Sequence, residues 1–202
     1  MNSKPVCAFG AFVGILTALA VSASPYAGGI PSAGLTFAGT VTDLKGNPPK
    51  SPIYVTVIGM PGAPSSSQQT QPDGSFSMAA PAGNVFRVLY QRTQTDLPIK
   101  VIDQLSDRRN QDISVVLDLA TGDDQPTVTG MFERLSAVET LFAAVETDKR
   151  FADSVFPTDE RRRLDDELGK LFTLLDRGQY GRIQPLLNQK RQSLIEMRRR
   201  LW

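Results

Sequence analysis

Histidine is missing from the chain, and the single cysteine, Cys7, stands close to the start of its 202 residues. Beyond Cys7 the chain cannot run Cys–His or Ser–His nucleophilic chemistry. It also lacks the usual ligands of zinc, haem and iron–sulfur sites. Tryptophan occurs once, at Trp202. Charge of one sign is scarce as well: 22 Lys and Arg face 21 Asp and Glu, a net charge of +1. That balance argues against a nucleic-acid binder, which carries a strong basic excess. The sequence contains no Walker loop, G-x-G-x-x-G, G-x-S-x-G or S-x-x-K, so no cofactor or phosphate cradle is expected.

What is present begins with a leader. Residues 1–23 combine a positive start at Lys4, an apolar run from Val6 to Ala20, and the small residues Val21-Ser22-Ala23 where a signal peptidase reads. Ala18-Leu19-Ala20 offers a second cleavage site. The alternative is a retained anchor, but the run is shorter than the ~20 residues of a spanning helix. Cys7 precedes the run instead of closing it, the wrong place for lipid attachment. The expectation is an exported protein, periplasmic or at the cell surface, whose cysteine-free mature chain holds no disulfide.

Residues 24–35, SPYAGGIPSAGL, read as a flexible lead-in. From 36 to about 120 the pattern is that of short strands punctuated by turns. Thr36–Thr42 places Phe37, Gly39 and Val41 on one face, and Ile53–Ile58 places Ile53, Val55 and Val57 on one face. Met60 to Gln71 reads as a loop with a Ser/Gln run. Ser75–Ala80, Val85–Gln91 (Phe86, Val88 and Tyr90 on one face), Leu97–Ile102 and Ile113–Leu119 read as further strands. The spacing predicts an all-β sandwich, immunoglobulin- or transthyretin-like, of about six or seven antiparallel strands. Gly46-Asn47 and Asp73-Gly74 suit corners with positive φ. Asp43 and Asp73 are expected to bond turn amides. The other reading, calcium ligation, lacks the D-x-D-x-D-G loop it would need, so no metal is expected.

Five segments carry a resemblance: Phe37-Ala38-Gly39-Thr40-Val41-Thr42-Asp43, Gly46-Asn47-Pro48, Tyr54-Val55-Thr56-Val57, Thr70-Gln71-Pro72-Asp73-Gly74-Ser75-Phe76 and Ala82-Gly83-Asn84-Val85-Phe86. Residues 36–119 resemble the carboxypeptidase regulatory-like domain family, a transthyretin-like β-sandwich. The resemblance implies an accessory module without a peptidase site of its own, since its motifs specify turns and not chemistry.

Past Thr121 the period changes to about 3.5. Gly122-Asp123-Asp124-Gln125-Pro126 lies in a linker, 121–127, and residues 128–202 read as a separate helical hairpin or three-helix bundle. Helices are expected at about 128–148, 158–177 and 184–201. Their stripes are Val128, Met131, Leu135, Val138, Phe142 and Val145, widened by Phe132 and Leu141; Leu164, Leu168, Leu171, Phe172 and Leu175; and Leu187, Leu194, Met197 and Leu201. Thr158 is a candidate N-cap and Asp176-Arg177-Gly178 a stop.

Residues 24–120 carry seven basic and seven acidic groups, and 121–202 carry fourteen of each, so neither half steers a polyion. Arg161–Asp165 and Arg162–Asp166 are spaced for ion pairs on a solvated helix face. Lys190, Arg191, Arg198, Arg199, Arg200 and Trp202 make the last helix basic on one side, a candidate contact for a partner or an anionic membrane surface. The bland alternative is that Leu201 and Trp202 close the bundle while the arginines counter the helix dipole. Asp96, Asp103, Asp107, Arg108, Arg109 and Asp112 are the one polar concentration in the strand half. Two of these acids could in principle flank a glycosidic bond, but strand ends and loops are where Asp is common for turn reasons.

The expectation is therefore an exported, non-catalytic structural or protein-interaction module. Its helical tail would bind an envelope protein or self-associate. The alternatives are a carbohydrate-binding module and peripheral membrane association. Sugar binding needs exposed aromatic platforms, and Phe37, Phe76, Phe86, Tyr54 and Tyr90 all fall in strand periodicity that suits a core.

Overall fold

Alternation of Phe37, Gly39 and Val41 with small polar residues produces the first strand, β1 (Thr36–Thr42), with those three residues inward. The computed structural model describes residues 36–59, 66–79, 85–94, 96–105, 111–120, 124–147 and 161–201. The expected leader, lead-in, helix start at 158 and Trp202 lie outside them. Six more strands follow: β2 (Tyr54–Gly59), β3 (Ser66–Gln69), β4 (Ser75–Ala79), β5 (Val85–Gln91), β6 (Lys100–Leu105) and β7 (Gln111–Val116). Three helices complete the chain: α1 (Val128–Thr147), α2 (Arg161–Arg177) and, after a short 3-10 turn at Gly181–Ile183, α3 (Gln184–Leu201).

The strands form a three-stranded sheet, β4-β1-β7, and a four-stranded sheet, β3-β2-β5-β6. Every pair is antiparallel except one. β1 and β7 run parallel, Phe37 opposite Gln111 and Thr42 opposite Val116. The expected all-antiparallel arrangement is corrected there: no hairpin joins the two strands, so nothing in the local sequence fixes their relative direction. β3 is a second departure. It lies in the Ser/Gln run expected to be loop, where it takes the edge beside β2 with Tyr54 opposite Gln69. An edge strand needs no apolar alternation, and its side chains bond laterally instead, as Thr56 Oγ1 does with Ser67 Oγ at 3.0 Å.

The two sheets share one core. Phe37, Val41, Phe76, Met78, Val115 and Leu117 come from the three-stranded side, and Ile53, Val55, Val57, Phe86, Val88 and Tyr90 from the other. Phe37 meets Phe86 edge-on, with ring centroids 5.1 Å apart at 80°, and Phe76 at 5.4 Å. The turns behave as their residues require. Asp43 Oδ1 accepts the amides of Lys45 and Asn47 at 2.8 and 2.9 Å, and Asp73 Oδ1 accepts that of Ser75 at 2.9 Å. Gly46 and Gly74 take φ of 81° and 83°. The Asn47 amide at Asp43, and the Ser75 hydroxyl and amide at Asp73, outweigh desolvation and hold both carboxyls below the usual range.

The helices are not a separate bundle. The four-stranded sheet has a second apolar face, where Leu89 of β5, with Ile58, Leu97 and Val101 beside it, joins a cluster of helix residues. Met131, Leu135, Val138 and Phe142 of α1, Leu164, Leu168 and Leu175 of α2, and Leu187 and Leu194 of α3 complete that cluster. Leu89 lies opposite both Thr56 and Val101, which puts the three residues in one row across β2, β5 and β6. Covering this apolar patch contributes ~1.5–3 kcal/mol for each large side chain fully buried. Most of each expected helix stripe is buried, but Val128 at the start of α1 is exposed and Phe172, Met197 and Leu201 are only partly buried.

Candidate functional site

The site grows from the junction between strands and helices. Leu117 continues from β7, its amide donating to Thr42 O at 2.9 Å, and Asp118 follows, only 4% exposed. The Asp118 carboxylate accepts the Thr127 amide at 2.7 Å and the Thr127 hydroxyl at 2.8 Å on Oδ2, and the Ala120 amide at 3.1 Å on Oδ1. Thr127 in turn caps α1, its hydroxyl accepting the Gly130 amide at 3.0 Å. Burial alone would raise the pKa of Asp118, but the bonds from Thr127 and Ala120 outweigh it and hold the carboxyl below its usual range. The first turn of α1 comes so close that a Cβ on Gly130 would stand 2.1 Å from Asp118 Oδ2. Gln125 ties the same stretch to α2 and the following turn through Leu174 O at 2.6 Å and the Tyr180 hydroxyl at 2.5 Å. The segment expected as a linker is thus, over its described residues 124–127, part of the packed structure.

Two arginines converge on this junction. Arg134, on the buried face of α1 and 9% exposed, donates through Nη2 to Asp118 O and Ala120 O, both at 2.8 Å. Arg92, just past β5, donates to the same Ala120 O at 2.6 Å and to Leu119 O at 3.3 Å. Two cations thus share one carbonyl oxygen. Burial pulls both arginines down from their ordinary pKa. Arg92 adds to that pull at Arg134, while Asp118 opposes it. Arg134 Nε is buried without a hydrogen-bond partner.

A second clamp holds α2 to the chain between β5 and β6. Arg163 Nη1 contacts Asp96 Oδ1 and Glu167 Oε1, both at 2.6 Å, and Glu167 Oε2 accepts the Leu97 amide at 2.9 Å. The two acids are driven apart. Burial, reinforced by Asp96, raises Glu167 despite the Leu97 and Arg163 contacts. At Asp96 burial works upward too, but bonds with Thr93, Arg163 and Glu167 prevail and lower it.

Between the junction and the clamp runs a groove of about 1030 Å³, floored by Arg92, Pro98, Ile99, Ala120 and Arg134 and walled by one face of α2. Asp165, Asp166, Glu167, Lys170, Thr173 and Arg177 line that wall. The groove is open to solvent, and its lining carries both signs of charge.

The basic residues of the last helix stand elsewhere. Lys190 pairs with Glu139 at 2.7 Å and lies 5.0 Å from the Phe132 ring centroid. Arg191 pairs with Asp176 at 2.6 Å and lies over Phe172. Arg198 pairs with Asp165 at 2.6 Å and Arg200 with Glu146 at 2.7 Å, while Arg199 is exposed. Four of the expected contact residues therefore fasten α3 to α1 and α2. Trp202 lies outside the described residues.

The acidic concentration of the strand half is likewise divided. Asp96 belongs to the clamp, Asp103 on β6 pairs with Arg87 at 2.7 Å, and Asp112 lies exposed on β7 of the other sheet. Asp107, Arg108 and Arg109 lie outside the described residues. Among the described residues no group of three or more acids is placed to hold a metal ion, and no helix is long and apolar enough to cross a membrane.

Arg92, Asp118 and Arg134 were not apparent from the pattern. One signal for them exists: Arg134 sits at helical spacing within the stripe Met131, Leu135, Val138, a charge where apolar residues are due. No protein-family model matches the chain, and among curated proteins none matches it.

Proposed function

We propose that the chain is an exported, non-catalytic protein-interaction module, in which a β-sandwich of the carboxypeptidase regulatory-like kind and a helical layer form one scaffold. The partner, an envelope protein, binds at the groove between them and not along a free helical tail. The observation that carries this reading is the groove itself, about 1030 Å³ with walls drawn from both layers. The engagement of Lys190, Arg191, Arg198 and Arg200 in ion pairs favours it over a membrane-binding basic helix. Sugar binding is disfavoured because four of the five aromatics, Phe37, Phe76, Phe86 and Tyr90, are buried in the inter-sheet core, which leaves Tyr54, contrary to expectation, as the one partly exposed ring. The separation of Asp96, Asp103 and Asp112 speaks against a carboxylate hydrolase.

The test is photocrosslinking in the native host, with a benzophenone side chain at Thr173 in the groove or at Ser77 on the exposed side of β4. A discrete crosslinked product in the envelope fraction from Thr173 alone is the expected result. Absence of a product from both positions, or recovery of the chain in the cytoplasm with its leader intact, would overturn the reading.

A further inference from the structure

The side of the sandwich where β7 ends its sheet is unfinished. Successive residues of a strand in a parallel pair turn their backbone groups alternately toward the neighbour and away from it. The Leu117 amide donates to Thr42 O at 2.9 Å, so Val115 and Ile113 turn toward β1 as well. The amides and carbonyls of Asp112, Ser114 and Val116 are directed the other way, where β7 has no neighbouring strand. All three residues are exposed, Val116 at 48%. Among the described residues one side chain reaches this row: Lys100 Nζ stands 3.4 Å from Val116 O. A carbonyl oxygen with two lone pairs can accept an amide besides. The opposite end of the same sheet is guarded, since the outward amide and carbonyl of Ser75 on β4 are taken by Asp73 Oδ1 and the Gln71 amide.

The core beneath this edge is also incomplete. Ile113 on β7 and Ile102 on β6 pack against the inter-sheet core but are only partly buried, whereas Phe37, Val41, Val55, Val57, Phe86 and Val88 on the inner strands are covered. A row of open backbone groups beside partly covered apolar side chains is a template for one more strand.

The row is complementary to itself. Let an antiparallel second copy of β7 lie alongside, with a two-fold axis through Ser114. Asp112 then faces the partner copy's Val116, Ser114 faces its own counterpart, and Val116 faces the partner copy's Asp112. These are the residues whose backbone groups point outward, so each facing pair exchanges two bonds, about six in all. No charge meets its like, because Asp112 is the only charged residue of β7 and stands opposite a valine. On the inward face Ile113 meets the partner copy's Val115, which carries the apolar layer across the axis.

We propose that the chain forms a two-fold dimer through the open edge of β7, joining two three-stranded sheets into one. The partner at this surface is a second copy of the chain, and the contact does not depend on the reading of the groove.

The test is sedimentation velocity of the chain purified from its native host, at ~1 to ~100 μM, because a dimer of this kind depends on protomer concentration. A monomer–dimer equilibrium is expected in that range. Ser114→Pro removes an amide that β1 does not use, a change an edge strand tolerates. It should weaken the dimer at least ~10-fold while thermal melting of the monomer stays close to that of the parent. Ser114→Lys brings two cations together at the axis and should also weaken the dimer, less so at high salt. In a Cys7→Ser background, Ser114→Cys sets two thiols across the axis at the ~5.5 Å Cα separation of a hydrogen-bonded pair, within disulfide reach. A covalent dimer should form in air in far higher yield than from Ser77→Cys, on the exposed side of β4.

A monomer at every concentration, a dimer unmoved by both Ser114→Pro and Ser114→Lys, or equal crosslinking at Ser77 and Ser114 overturns the proposal. Where Ser114→Pro fails to fold, Ser114→Lys and the disulfide decide.

Discussion

The four-stranded sheet is buried on one face and covered around Leu89 on the other, and the two interfaces are built differently. Toward the other sheet it presents Val55, Val57, Phe86, Val88 and Tyr90 to a core of hydrocarbon and rings. Toward the helices it presents one row of apolar side chains, and around that row lie Lys100–Glu133, Arg163–Asp96 and the junction at Asp118. The first interface works by area and shape. The second adds directional polar bonds, which set the position of α1 and α2 on the sheet.

Substitutions can sharpen this contrast. The largest loss is expected from Phe37→Ala, which empties the centre of the ring cluster and should cost ~3–5 kcal/mol in urea unfolding. A loss below ~1 kcal/mol would show that the core repacks freely. Next is Asp118→Ala, which strands the amides of Thr127 and Ala120 and should cost about 2–3 kcal/mol. It should also alter the acid limb of the stability profile. Asp118 has a lowered folded pKa, so its contribution is complete above its unfolded value near 3.8 and fades as pH falls through the folded one. The variant should lack that part of the decline, measured as melting temperature from pH 5 to 2.

Tyr90→Phe reverses the sign. The hydroxyl is fully buried without a hydrogen-bond partner, so its removal should raise stability by about 1 kcal/mol. A loss on this substitution would mean that the hydroxyl has a partner in solution. Glu167→Gln should show itself mainly in pH dependence. The folded pKa of Glu167 is raised, so its stabilising contribution is complete below 4.5 and is lost as pH rises through the elevated value. Melting between pH 4 and 7 should therefore slope less in the variant, and an identical slope would remove the acid pair from the account. The smallest effects are expected at Arg198→Gln and Arg200→Gln. The Arg198 pair should contribute ~0.2–1 kcal/mol, the more exposed Arg200 pair less, and both should weaken in 1 M salt.

The same contrast explains what the sequence made legible. The inter-sheet core announces itself by strict alternation, and Phe37, Val41, Val55, Val57, Phe86, Val88 and Tyr90 all fall on the expected faces. The turn roles of Asp43, Gly46, Asp73 and Gly74 follow from their own side chains or lack of them. The helix stripes are equally plain.

The outer face was hidden because it draws about one residue from each strand, Ile58, Leu89 and Val101, too sparse to read as a pattern. Ladder limits were hidden for a related reason. Leu97 and Ile99 are apolar and covered yet precede β6, and Leu117 is buried past the end of β7, so burial and pairing do not coincide. The groove escaped altogether, since Arg92 and Arg134 lie far apart in the chain and share an acceptor only once the junction has folded. The basic end of α3 misled for the opposite reason: clustered charge is conspicuous in sequence, and its acidic partners, Glu139, Glu146, Asp165 and Asp176, come from other helices.

The parallel pairing of β1 with β7 has a kinetic consequence. A ribosome delivers residue 37 long before residue 111, so the three-stranded sheet must wait for almost the whole strand region before its first and last members meet. Hairpin-like neighbours such as β5 and β6 can pair early, while closure of β1 on β7 carries the loop entropy of everything between. A chain halted before Gln111 keeps one edge of β1 open, and that edge is where such a fragment would recruit strands from its neighbours.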